Sequence, residues 1–147
     1  MEAFHRTEHD MELGCYIDEH GVIQLRMSGN LSSDHIEHLE AWGESVREAM
    51  RTAKERDEEH VYCIIDLVGG VEADQDSLSF LISLVRHNKG YATRTGVFGA
   101  NLIMRNFMDI ALKVAGRTNM KAFATREQAE HWAITGRKLA DQPLDEG

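Results

Sequence analysis

Residues 61–67 read VYCIIDL: apolar at nearly every position, rich in β-branched side chains, and carrying a carboxylate at Asp66. A strand with one face in water alternates apolar and polar residues, whereas a continuous apolar run suits a strand covered on both faces. We read the run as the central strand of a mostly parallel sheet. Just downstream, residues 68–80 (VGGVEADQDSLSF) break the run at Gly69-Gly70, gather Glu72, Asp74 and Asp76, and open a helix. Leu78, Leu81, Ile82 and Val85 give that helix one apolar stripe, and Gly90 is placed to end it.

The same reasoning extends outward. Residues 14–29 (GCYIDEHGVIQLRMSG) read as a hairpin turning at Asp18-Glu19-His20-Gly21, with alternation in its second half. Ser32 or Ser33 can cap a helix that carries Ile36, Leu39, Trp42, Val46 and Met50 at helical steps. TRTGVFGA (93–100) is a further short strand, Asn101 caps a helix over 102–116 that Gly116 stops, and MKAFA (120–124) is the last strand. Thr125 opens a final helix with Glu127 and Gln128 in its first turn.

The order is β-β-α-β-α-β-α-β-α, an α/β sandwich with a mixed, mostly parallel sheet of about five strands and about four helices. The chain of 147 residues, 42% apolar, suffices for one core. Residues 1–12 read as a flexible leader, 13–138 as the domain and 139–147 as a flexible tail containing Pro143.

Cys15 and Cys63 are too few for a disulfide framework and read as reduced thiols, hence a cytoplasmic protein. The opening MEAFHRTEHDME lacks the basic start and apolar run of a signal peptide, and no apolar run approaches the roughly 20 residues of a membrane span. A net charge of −9 argues against a nucleic-acid partner. That charge is polarised: residues 1–85 hold 6 basic and 19 acidic side chains, residues 86–138 hold 10 and 3. Such asymmetry marks a surface for an anionic partner or simply solvated helix faces.

The element order, the strand VYCIIDL, the Asp76-Ser77 pair opening the next helix and the closing MKAFATREQAEHWA (120–133) together resemble the STAS domain superfamily, and within it the SpoIIAA-like branch. The resemblance spans roughly residues 13–138. It implies regulation by binding, without catalysis or a cofactor. Anti-sigma-factor antagonists of this kind dock on a kinase-like anti-sigma factor and are switched by phosphorylation where the helix after the central strand begins. Their pattern there is Asp-Ser-Ser or Asp-Ser-Thr, then Gly and an apolar residue. The matching positions are Asp76-Ser77-Leu78-Ser79-Phe80: Asp76 and Ser77 fit, Leu78 stands at the position usually phosphorylated, and Ser79 stands where Gly is expected. The SpoIIAA-like branch generally lacks this pattern and implies instead a small-molecule or lipid-binding carrier or sensor.

Two readings therefore compete for the stretch after the central strand. In one, Asp66, Asp74, Asp76, Ser77 and Ser79 form an edge that meets a protein partner, an anti-sigma-factor or kinase-like regulator, with Ser77 or Ser79 as a phosphosite. In the other, Asp74 or Asp76 is a helix cap, Ser77 a first-turn residue and Asp66 an acceptor for the next loop. Gly69-Gly70 is no phosphate loop, since the completing Gly-Lys-Ser or Gly-Lys-Thr is missing.

Arg94, Arg105, Lys113 and Arg117, with Met104 and Met108 nearby, offer a face for a small anionic or lipid ligand between the sheet and the helix containing Phe107. A solvated surface over core methionines is the plainer account. His35 and His38, three apart, would need a third ligand from elsewhere to hold a metal ion, and polar surface is again plainer. No Gly-x-Ser-x-Gly elbow occurs and Cys63 sits mid-strand, so no nucleophile, base and orienting group can be assembled. The expected function is a non-catalytic, regulatory or ligand-binding module; a homodimer is compatible with it.

Overall fold

The apolar run at 61–67 lies in the middle of the sheet. The computed structural model describes residues 3–116 and 119–137. Its strands are β1 (Phe4–Glu8), β2 (Met11–Ile17), β3 (Ile23–Leu31), β4 (Tyr62–Asp66), β5 (Val71–Ala73), β6 (Arg94–Phe98) and β7 (Met120–Phe123). Its helices are α1 (Ile36–Arg56), α2 (Gln75–His87), α3 (Leu102–Ala115) and α4 (Arg126–Thr135), with 3-10 turns at Ser33–His35 and Asn88–Gly90. The strand order is β1-β2-β3-β4-β6-β7, with β5 beside β3. The pairs β1–β2 and β2–β3 are antiparallel, and β3–β4, β3–β5, β4–β6 and β6–β7 are parallel.

β4 is apolar throughout because both faces are covered. Cys63 and Ile65 point into the larger core under α1, α2 and α3, while Tyr62 and Ile64 point into a smaller one under α4 with Phe98, Phe123, Ala129 and Ala133. Helix α1 lies across β2, and the Trp42 indole N–H donates to the Gly14 carbonyl at 2.8 Å.

The chain start corrects the expectation of a leader over 1–12. Residues 4–8 form the edge strand β1, and Met11 and Leu13, both 0% exposed, belong to the core. His9 and Asp10 turn the β1–β2 hairpin with φ of 51° and 63°. A left-handed pair of this kind ordinarily calls for Asn-Gly or Asp-Gly, so the sequence carried no recognisable turn signal there.

The Gly69-Gly70 break also has a geometric reason. β3 is long enough to serve two partners in succession: Ile23–Arg26 pair with β4, and Gly29–Leu31 pair with β5. Between them the chain turns at 67–70, where Gly70 adopts φ +81° and its carbonyl accepts the Gly29 N–H at 2.8 Å. A Cβ on Gly69 would lie 2.7 Å from that of Ser28, so the turn can press against β3 only without side chains. The tail expected at 139–147 lies outside the described residues.

Candidate functional site

The helix starts are built by short polar residues, and one of them joins two helices. Asp74 is the N-cap of α2: its carboxylate accepts the Ser77 N–H at 3.0 Å and, from across the rim, the Ser33 N–H at 2.6 Å. The Ser33 amide, then the Ser77 amide, hold its carboxyl far below the ordinary carboxylate range. Asp74 thus serves two helix beginnings with one side chain. Asp76 is exposed in the first turn of α2, and Ser79 is exposed one turn on.

Ser77 is 0% exposed, its hydroxyl enclosed beside the Asp74 carboxylate. A kinase cannot reach that oxygen without opening the first turn of α2. Asp66 stands apart from these residues as well. By strand alternation it faces the α4 side of the sheet, where its carboxylate accepts the Val68 N–H at 2.9 Å and lies 3.5 Å from both Arg26 and Arg126. The edge imagined as one surface from Asp66 to Ser79 is therefore divided by the sheet.

Arg126, which the sequence reading passed over, connects α4 to this cluster: it also donates to Gln24 at 3.0 Å and stacks on the Phe98 ring at 4.7 Å. Gln24 in turn donates to Asp18 at 3.1 Å, and Arg26 to Glu12 at 2.8 Å. Alternation in β3, which aims Gln24 and Arg26 to one side, was the available signal.

The supposed cationic face is divided too. On β6, Arg94 shares the α4 side with Gly96 and Phe98, and its guanidinium donates to the Ala133 and Ile134 carbonyls at 2.8 and 3.0 Å. It closes the C-terminal end of α4, as a cation suits that end of the dipole. Arg105 and Lys113 sit on α3 on the other side, half-buried and exposed respectively, and Arg117 lies outside the described residues. The reason is again the two-residue period of a strand, which places Arg94 opposite its neighbour Thr95.

His35 stacks flat on His9, ring centres 3.7 Å apart. His38 is buried, with Nδ1 3.8 Å from a Glu8 oxygen, too long for a hydrogen bond. Among the described residues no three histidine, cysteine or acidic side chains gather as metal donors. Cys15 and Cys63 are buried and not joined in a disulfide, and burial pushes the Cys15 thiol up to about 11. No described helix is long and apolar enough to cross a membrane.

Between the sheet and α1, α2 and α3 lies a cavity of about 80 Å³. Its lining is apolar apart from Asn88 and Thr95, and it includes Phe107, Cys63 and four methionines: Met27, Met50, Met108 and Met120. Outside it, α3 carries apolar side chains in solvent as well, with Leu102 74%, Ile110 61% and Val114 55% exposed. Val68, 63% exposed, adds to the apolar surface beyond the carboxyl ends of β4 and β6.

No protein-family model matches the sequence, and no curated protein matches it. Among solved structures the chain is similar to an uncharacterized protein of the DUF3478 family with a SpoIIAA-like fold from Shewanella loihica PV-4. The two are 11% identical, the match covers 89% of this chain and 99% of that one, and the TM-score is 0.50. With a central strand flanked by parallel neighbours and four helices on two sides, the chain has the SpoIIAA-like α/β fold that its resemblance to STAS domains implies.

Proposed function

We propose that the protein is a non-catalytic binding module that holds a small, mostly apolar molecule between the sheet and helices α2 and α3. The cavity beneath α3 carries this reading, since a close-packed interior leaves few spaces larger than a water molecule and the wall of this one is apolar apart from two residues. Methionine adapts its shape at low cost, so a wall with four of them suits an occupant of variable outline. Native mass spectrometry of freshly purified protein tests the reading. A small adduct that leaves on collisional heating supports it. The apo mass alone, together with no thermal stabilisation by short alcohols, ketones or xenon, defeats it.

A second reading, docking of a regulatory protein on the rim, is favoured by the exposed Val68 and Leu102 beside the start of α3. Ser77, being enclosed, makes a poor switch for that rim, and Ser79 the more accessible hydroxyl. A defined sigma-regulatory partner that binds wild-type protein and is lost in Leu102→Asp, at unchanged melting temperature, would support it. Equal binding by both proteins would remove it.

A further inference from the structure

Among the described side chains that line the cavity, one polar atom is buried without a partner: Oδ1 of Asn88. The residue is held firmly at the C-terminal end of α2. Its N–H reaches the Leu84 and Arg86 carbonyls, and its own carbonyl accepts the Tyr91 N–H at 3.0 Å. The residue is 4% exposed. A buried acceptor with no donor is a costly arrangement that native interiors rarely keep.

Three kinds of occupant can be compared. A water molecule needs two to four polar partners, and the lining is apolar apart from Asn88 and Thr95, with the Trp42 indole N–H already given to the Gly14 carbonyl. An anion would meet Oδ1 and the carbonyl end of the α2 dipole, both negative. An ammonium would be buried against apolar walls without a counter-charge. What remains is a neutral molecule, or the end of one, with an apolar body and one O–H or N–H to donate. The cavity of about 80 Å³ limits the enclosed part to a few heavy atoms.

We infer that Asn88 determines ligand choice in this cavity by accepting a hydrogen bond from a neutral O–H or N–H donor on an otherwise apolar ligand. The inference rests on the ligand-binding reading above and goes further in naming the ligand class and the residue that selects it.

The experiment uses the full chain and three probes measured by NMR titration: xenon, 1-butanol and 2-butanone. Xenon reports the cavity itself. The alcohol donates, whereas the ketone, of similar size, only accepts. On unaltered protein, 1-butanol should bind about tenfold more tightly than 2-butanone, the worth of roughly one neutral hydrogen bond. In Asn88→Leu the two should bind within about twofold of each other while xenon binding persists. Xenon binding with equal affinity for alcohol and ketone on the unaltered protein overturns the role of Asn88 and leaves the cavity reading standing. Failure of all three probes removes both. The alcohol–ketone comparison requires no variant, so it decides the matter even if Asn88→Leu does not fold.

Discussion

Replacing Ala111 with Leu should strengthen the fold and abolish ligand binding in one step. Ala111 is 3% exposed on α3 and lines the cavity. At about 24 cal/mol per Å³, an empty space of 80 Å³ represents roughly 2 kcal/mol of packing not made. Three added carbons buried there return at most about 2.4 kcal/mol, at some 0.8 kcal/mol each, and Leu is nearly as good a helix former as Ala. Allowing for imperfect fit, we expect a gain of about 1–2 kcal/mol. Urea denaturation followed by circular dichroism should show a higher midpoint with an unchanged slope, and the melting temperature should rise by roughly 2–4 °C per kcal/mol. Affinity for 1-butanol should fall in parallel, because the side chain occupies the same space. A loss of more than about 1 kcal/mol would mean that α3 already packs tightly on the sheet, and the reasoning from the void would fail.

Gly96→Ala should cost about 1–3 kcal/mol in the same denaturation assay, because its Cβ would come within 2.5 Å of the Ala129 carbonyl oxygen where β6 meets α4. Ser77→Ala, which removes a buried hydroxyl at the edge of the Asp74 carboxylate, should change stability by less than about 1 kcal/mol. Ser77→Asp, which buries an uncompensated charge, should cost about 3 kcal/mol or more by thermal melting, and a mild effect would show that the first turn of α2 opens readily. Asp74 sets an acid limit. Its folded-state pKa is depressed, so its contribution is present above the unfolded value near 3.8 and is lost as pH falls through that range towards the folded value. Wild type should therefore exceed Asp74→Asn in stability at neutral pH, with the gap closing as the solution is acidified; a gap independent of pH would mean that the charge of Asp74 plays no part.

The elements with strong local grammar were legible in the sequence. Asn101 and Thr125 cap α3 and α4, Gly116 ends α3 in a left-handed conformation, and Asp74 caps α2. Each capping side chain bonds an amide three residues on, and Gly116 acts through its own backbone, so the information is contained within a few residues. β4 was legible because burial on both faces leaves a composition that little else produces. What escaped depended on distant partners or on unusual backbone. β1 was hidden because His9-Asp10 make their turn without glycine, and β5, three residues long, exists only because β3 extends past β4. The candidate site was less legible still. Arg94 and Asp66 fall on the α4 side through strand alternation, a rule that could have been applied to their neighbours Thr95 and Ile65. Asn88 lies in the polar stretch before Gly90, and nothing local indicates that it lines a cavity assembled from α1, α2, α3 and the sheet.

The unequal covering of the sheet has a consequence for how the molecule opens. β4 and β6 lie between helices on both sides, whereas β1 is an outer strand with mostly exposed side chains. Amide protons should therefore exchange with deuterium in a graded order, the free edge of β1 within the earliest time points and the middle strands only when the whole domain unfolds. The innermost amides would then report global stability, while those at the margin would register fluctuations that leave the rest of the domain intact.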